Sequence, residues 1–392
     1  MRIAFDAKRA FCNFTGLGNH SRTTLDILNK YFSENEFLLY TPKINYNRTT
    51  EPYVENPDFR IMKPKGVLKG GLWRTLCLAD TMRRDGADIF HGLSNELPLG
   101  IGRSGVPSVV TIHDVAFKTF TDMYHWQDRQ IYDLKWRYAV RHAQCIIAIS
   151  ECTKRDILRF YDVPEEKIKV VYQPVAPYYY GIGRECSDIL ENNAEEAVCH
   201  NSSSDEKTNH KSSAEEPFML YVGSVNSRKN LLGIVKAMEL LPESVRIPLV
   251  IVGDGREYKR EVQKYIAEHH LERWCIWKGS TSGGELHRLY AKARLFVYPS
   301  YYEGFGLPVV EARLSGCPVI SSNVSSLPEA SGPHSLLVDP SDFGAMSKAM
   351  DSLITDDALH DELAVKGREH AMQTLHPQVL AQQLMDTYNS VL

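Results

Sequence analysis

Two doubly wound α/β domains in one chain are what this sequence predicts, and three observations predict them. Short apolar runs alternate with segments of helical length and spacing, which is the pattern of a parallel sheet covered by helices on both faces. The alternation stops once, in a polar stretch near the middle, and then begins again. The length, 392 residues, fits two domains at roughly 100–200 residues each.

In chain order, the first set of strands is expected at Arg2–Phe5, Phe37–Tyr40, Asp88–His91, Ser108–His113, Cys145–Ile149 and Lys169–Tyr172. Helices are expected between them, clearest at Asp128–His142 and Thr153–Tyr161. From Arg184 to Pro217 the chain turns to Ser, Asn, Glu and Lys, with almost no large apolar residue after Leu190. Such a composition cannot bury a core, so a disordered insertion is expected at 184–217. Strands resume at Phe218–Val222, Leu249–Val252, Cys275–Trp277, Leu295–Tyr298, Val319–Ser321 and Leu336–Val338. From Asp342 onward only helix is expected. The predicted domains are therefore residues 1–180 and 218–375, with 376–392 a C-terminal helix returning to the N-terminal domain. Open α/β sheets bind ligands at the carboxyl ends of their strands, which places the expected site in a cleft between the two domains.

Composition excludes several classes. The chain is 43% hydrophobic and 24% charged with a net charge of −4, which argues against a general nucleic-acid binder. No apolar run reaches the ~18–20 residues that span a bilayer. The N-terminal MRIAFDAKRAF lacks the apolar stretch of a signal peptide, so a cytosolic protein is expected. The eight cysteines are scattered without a C-x-x-C pair, which reads as reduced thiols and not as a disulfide framework or zinc site.

Four segments could carry chemistry. In Tyr298-Pro-Ser-Tyr-Tyr-Glu303-Gly304-Phe305-Gly306-Leu307-Pro308-Val-Val-Glu311, a strand ends, two glycines turn the chain, and Pro308 opens a helix. Glu303 and Glu311 beside free backbone N–H groups suit a polyhydroxyl ligand, because each carboxylate can accept from two hydroxyls. A solvated Glu and a helix-start Glu are the plainer reading. In Gly223-Ser-Val-Asn-Ser-Arg228-Lys229-Asn230 a strand again meets a glycine. Asn230 suits the N-cap of the next helix, and the adjacent cations suit a diphosphate, or else form a surface pair. Thr15-Gly16-Leu17-Gly18 follows the first strand but lacks the third glycine of a dinucleotide fingerprint, Ser21 standing there. Val109-Val-Thr-Ile-His113-Asp114 carries a histidine and an acid at a strand tip, and His91 ends the preceding strand. Each histidine could meet a ligand or simply be structural.

Together these segments resemble the retaining family-4 glycosyltransferases of GT-B fold, over nearly the whole chain outside 184–217. The most specific likeness is EGFGLPVVEA with its Glu-seven-Glu pair, followed by SGCPVISS and SLPE at 326–329. GSVNSRKN resembles the family's phosphate loop, and TGLGN and TIHD its two N-domain elements. The resemblance implies that Lys229 and Arg228 neutralise a donor diphosphate and that Glu303 positions the donor sugar. The N–H groups of Gly304, Phe305 and Gly306, with Leu307, would assist Glu303, and Glu311 would accept from the nucleotide ribose. Gly223 belongs to the phosphate loop, while Trp277 and Lys278 would line the base pocket. Gly16 and Gly18 would admit the diphosphate, and His113 would face the donor sugar or acceptor. His91 and Asp114 would stand on the acceptor side. One departure is Ser224, where many members carry an arginine, and Arg228 would supply that charge. A catalytically silent nucleotide-sugar-binding protein and, from the strand–GLG start, a nicotinamide dehydrogenase are the competing readings.

The implied reaction moves a hexose, most simply mannose from GDP-mannose, onto a saccharide or lipid-linked saccharide of envelope polysaccharide. A UDP-hexose or UDP-N-acetylhexosamine donor is the alternative. No metal or other cofactor is implied, since cations and backbone N–H groups can stabilise the leaving diphosphate. Charge also differs between the halves: residues 1–180 carry 25 basic and 20 acidic side chains, and residues 181–392 carry 20 and 29. From 60 to 84, Arg60, Lys63, Lys65, Lys69, Arg74, Arg83 and Arg84 interleave with Leu68, Leu72, Trp73, Leu76 and Leu78. This could be a basic amphipathic segment resting on anionic lipid at the inner membrane face, or a helix packed on the sheet.

Overall fold

The computed structural model describes residues 1–64, 70–181 and 216–392. The expected insertion therefore lies outside the described residues except at its last two positions. The described chain divides into two units. The first comprises Met1–Val175, Glu303–Phe305 and Leu375–Leu392; the second comprises Ala176–Tyr302 and Gly306–Thr374.

Among the described residues, the first unit holds a seven-stranded parallel sheet in the order β3-β2-β1-β4-β5-β6-β7. The strands are β1 Arg2–Asp6, β2 Glu36–Tyr40, β3 Phe59–Met62, β4 Ile89–Gly92, β5 Ser108–Ile112, β6 Cys145–Ala148 and β7 Ile168–Val170. The central strands are apolar runs buried on both faces, which is why their positions are plain in the sequence. Strand β3 was not expected. It is a short edge strand whose Arg60 is exposed, so it shows no buried run.

Both faces of this sheet are covered. On one, Trp73, Leu78 and Met82 share a core with Trp136, Ala139 and Val140 of the Trp126–His142 helix. On the other, Leu25 and Leu28 of the Gly16–Tyr31 helix pack with Leu380, Leu384 and Tyr388 of the Pro377–Asn389 helix. The chain runs outward from β1 through β2 to β3 and returns as β4 on the other side of β1, which makes a switch point between β1 and β4.

The second unit holds six parallel strands in the order β10-β9-β8-β11-β12-β13: β8 Met219–Val222, β9 Leu249–Val252, β10 Cys275–Gly279, β11 Leu295–Tyr298, β12 Val319–Ser322 and β13 Leu336–Val338. Here the switch point separates β8 from β11, which run side by side with Leu295 opposite Met219. The GSVNSRKN loop leaves the carboxyl end of β8, and the segment leading to EGFGLP leaves that of β11. Tyr179, in the short turn Pro177–Tyr180, packs edge-on against His287 and Tyr290, so this turn belongs to the second unit although residues up to 180 were expected in the first.

Candidate functional site

The two units carry separate groups of candidate residues. Gly223, Arg228, Lys229, Trp277, Lys278, Gly306, Leu307 and Glu311 belong to the second unit. Gly16, Gly18, His91, His113 and Asp114 belong to the first, and Glu303, Gly304 and Phe305, on the loop after β11, group with it.

In the second unit, Gly223 has φ +153, and a β-carbon there would lie 3.2 Å from Lys229 Cδ. Glycine thus leaves room for the lysine stem to fold back over the end of β8. The Lys229 Nζ donates to Tyr298 Oη and lies 4.8 Å from the centroid of that ring. The phenol accepts a hydrogen bond and offers its ring face, which places the ammonium at the carboxyl end of β8. The turn Ser227–Lys229 is capped by Asn226, whose Oδ1 accepts from Lys229 N at 3.2 Å. Asn230 does not cap the Leu231–Glu239 helix as expected. It takes a left-handed φ of +58 and turns its amide to the Pro340 carbonyl at 2.7 Å. Arg228 is tied to the loop after β11: its guanidinium donates to the Tyr302 carbonyl, and its own carbonyl accepts from Tyr301 N at 2.8 Å. It therefore buttresses the segment that presents Glu303, a role its adjacency to Lys229 did not reveal.

Glu311 sits one turn into the Leu307–Leu314 helix, and its Oε2 accepts from Tyr290 Oη at 3.2 Å. Burial pushes its carboxyl up to about 7, and the Tyr290 hydrogen bond only partly opposes that shift. Tyr290 is itself fully buried at the end of the Gly283–Lys292 helix. The helix that carries Glu311 starts at Gly306, with φ +124; a β-carbon there would lie 2.9 Å from Leu327 Cδ2. Trp277 lies on edge strand β10 under the Lys259 ammonium, 5.1 Å from the ring centroid. Lys278 is the extra residue where the β10 register shifts between Trp277 and Gly279, and it pairs loosely with Glu285 at 3.8 Å.

In the first unit, Gly18 is required and Gly16 is not. A β-carbon on Gly18 would lie 1.8 Å from the Asn13 carbonyl oxygen, whereas one on Gly16 meets nothing within 4 Å. Asn13 Oδ1 gathers the N–H groups of Thr15 and Gly18 and the Thr15 hydroxyl. The buried Arg22 guanidinium then binds the carbonyls of Ala10 and Asn13 and the Asn19 side chain. The loop is built tightly around its own polar groups.

Four expectations need correction. His91 was placed on the acceptor side, but it is 0% exposed and its ring bridges Tyr388 Oη at 2.7 Å and Thr111 Oγ1 at 2.8 Å. Burial holds it down to about 3, so it is a neutral core group. His113 was expected to face a ligand. Its Nε2–H donates to the Leu93 carbonyl at 2.9 Å, which makes Nδ1 the acceptor from Gln173 Nε2 at 2.8 Å. Both nitrogens are spent, and burial lowers the ring to about 4. Asp114 accepts from Ala116 N at 3.0 Å and serves a local turn. The fourth correction concerns 60–84, which is not one amphipathic element. Residues 59–62 are strand, two short helices cover Gly70–Leu76 and Leu78–Arg84, and 65–69 lie outside the described residues. Trp73, Leu78 and Met82 face the core. Arg74 is enclosed between Asp6, at 2.6 Å, and Glu96. Burial alone would raise the Glu96 carboxyl, but Arg74 and Lys135 override it and hold it low. Of the described basic residues in this stretch, Arg74 is internal, while Arg60, Lys63, Arg83 and Arg84 are exposed on separate elements.

Residues 24–177 match the model for Glycosyltransferase Family 4, and residues 202–370 match that for Glycosyl transferases group 1. O-antigen chain mannosyltransferase B of Escherichia coli is 30% identical over 95% of this chain and 96% of its own length. O-antigen chain mannosyltransferase RfbU of Salmonella typhimurium is 26% identical over 62% of this chain and 60% of its own. Among solved structures, Anabaena HepE, crystallised with UDP and glucose, superposes with a TM-score of 0.70 at 17% identity, covering 99% of both chains. The two family models follow one another in chain order, one on each sheet, and a relative aligns from end to end: the chain belongs to the family-4 glycosyltransferases of GT-B fold.

Proposed function

We propose that this glycosyltransferase moves mannose from GDP-mannose, with retention, onto a saccharide or lipid-linked saccharide of an envelope polysaccharide. One observation carries the donor side of this reading. A lysine positioned by a buried phenol stands beyond the end of β8, while a buried carboxyl, Glu311, stands just beyond the adjacent β11. Lys229 meets the diphosphate and stabilises the charge that develops on it as the sugar–phosphate bond breaks. Glu311 accepts from the ribose hydroxyls, replacing solvent around a carboxylate that has one protein donor. Glu303 positions the hexose, and Arg228 holds the Glu303 loop. Retention follows from attack on the face that the leaving group vacates, with a departing phosphate oxygen taking the acceptor proton. Lysine and backbone N–H groups supply the positive charge, so the transfer runs without a divalent cation. Mannose is favoured because both O-antigen relatives are named as mannosyltransferases. The six described cysteines are free thiols, which fits a reducing compartment.

A thermal-shift panel of nucleotide sugars tests this reading, because a donor that binds the folded state raises the melting temperature. GDP-mannose should give the largest shift and support transfer to a mannoside acceptor, both unchanged by EDTA. A larger shift and turnover with a UDP-sugar would replace the donor assignment, and loss of transfer in EDTA would remove the metal-free mechanism.

A further inference from the structure

His20 lies in the second turn of the Gly16–Tyr31 helix, directly after the tight Asn13–Gly18 loop. It is only 6% exposed, and neither ring nitrogen has a hydrogen-bond partner. Leaving a buried polar atom unpaired costs about 1–3 kcal/mol, so two such atoms on one side chain call for an explanation. The neighbour cannot supply it. His113 stands edge-on with ring centroids 4.7 Å apart, and both of its nitrogens are committed to Leu93 and Gln173.

The chemistry of the ring narrows the guest. Burial, and then the nearby His113 and His91, hold His20 well below its ordinary range, so the imidazole is neutral. A neutral imidazole offers one N–H donor and one lone pair. A phosphate or carboxylate would use only the donor and leave the other nitrogen orphaned. A hydroxyl both donates and accepts, and sugar hydroxyls come in adjacent pairs. The position agrees: the helix carrying His20 belongs to the connection that follows β1, after the short helix Lys8–Cys12, and β1 borders the switch point with β4, where open sheets take ligands.

We propose that His20 is a saccharide-binding residue whose imidazole exchanges hydrogen bonds with sugar hydroxyls during transfer. This rests on the glycosyltransferase reading but not on the identity of the donor. The sugar is either the acceptor or the donor hexose, and the two are separable by kinetics.

The test compares the full-length wild type with His20→Phe and His20→Gln, using whichever nucleotide sugar and acceptor the wild type turns over. A wild type that turns over nothing sinks the functional reading and leaves His20 to be judged by sugar-dependent protection in a thermal shift. Phe keeps an aromatic ring of similar size and deletes both orphan nitrogens, so its melting temperature should equal or exceed that of the wild type. Its KM for one sugar should rise about tenfold, and Gln, which keeps a donor and an acceptor, should recover part of that loss. A rise in acceptor KM alone assigns the contact to the acceptor. A rise in donor KM, with a weaker donor-induced thermal shift, assigns it to the donor hexose. Unchanged KM for both sugars, or a lower melting temperature without any KM effect, overturns the proposal and leaves His20 bridged by internal water.

Discussion

The Lys229 ammonium is docked on the Tyr298 phenol, with Nζ donating to Oη and lying over the ring. Tyr298 is 1% exposed, so the phenol is a fixed post and the lysine is the member that can respond to a ligand. Tyr298→Phe keeps the ring and removes the acceptor. About 1 kcal/mol of positioning should be lost, read as a roughly fivefold fall in kcat/KM for the donor. Lys229→Ala should cost on the order of 2–4 kcal/mol. In the Lys229→Ala background the Tyr298→Phe change should have no further effect, since the partner it positions is gone; additive losses would show that the phenol acts elsewhere.

Glu311 should make both activity and stability depend on pH. Its folded-state value of about 7 lies above the ordinary carboxylate value of 4.5 because burial disfavours the charge. The folded state therefore binds the proton more tightly than the unfolded state, and the carboxyl's contribution to stability falls as pH rises from about 4.5 through 7. The proposed ribose contact needs the ionised form, so kcat/KM should rise across pH 6–8. Glu311→Gln should flatten both profiles and lower kcat/KM at pH 8. Melting curves and initial rates over that range check the two signs; a wild-type kcat/KM that falls with pH would count against the assigned role.

The two glycines of TGLG should behave oppositely. Gly18→Ala drives a β-carbon into the Asn13 carbonyl and must open the loop, with a loss of roughly 1–3 kcal/mol or more. Gly16→Ala meets open space at the first position of a helix and should be neutral or stabilising by up to about 1 kcal/mol. Urea denaturation of the two single variants measures the contrast.

Arg74 and Arg60 give a second matched pair. Arg74→Met leaves Asp6 and Glu96 buried without their shared cation, at a cost of about 3–5 kcal/mol. Arg60→Ala removes an exposed pair with Glu36, for which about 0–1 kcal/mol is expected. Equal midpoints in denaturant would mean that Arg74 is as solvated as Arg60.

What the sequence disclosed follows burial and locality. Strands β1, β5, β6, β8 and β9 were plain because parallel strands covered on both faces are continuous apolar runs. Strand β3 was absorbed into a basic stretch because an exposed edge has no such run. The Glu311 position was legible from its spacing to Glu303, whereas the desolvation that retunes it comes from neighbours remote in sequence. Arg74 looked like surface charge because its partners lie 68 and 22 residues away. His113 drew attention by ending a strand, yet its nitrogens are consumed by Leu93 and Gln173. His20 had no distinguishing local signal, because whether a ring nitrogen lacks a partner is decided by residues around it in space.

The Pro377–Asn389 helix completes a core that begins with β1, since Leu384 and Tyr388 lie in the cluster of Ile3 and Phe5. During synthesis, that face of the first sheet stays open until residue 388 has been made. Every residue of the second unit has been polymerised by then, because that unit ends at Thr374. The first domain therefore cannot mature ahead of the second in the usual vectorial order. The domain translated second can reach its native state while the first still exposes an apolar strip. A ribosome that stalls or terminates before the last helix releases a chain with one finished domain and one aggregation-prone domain.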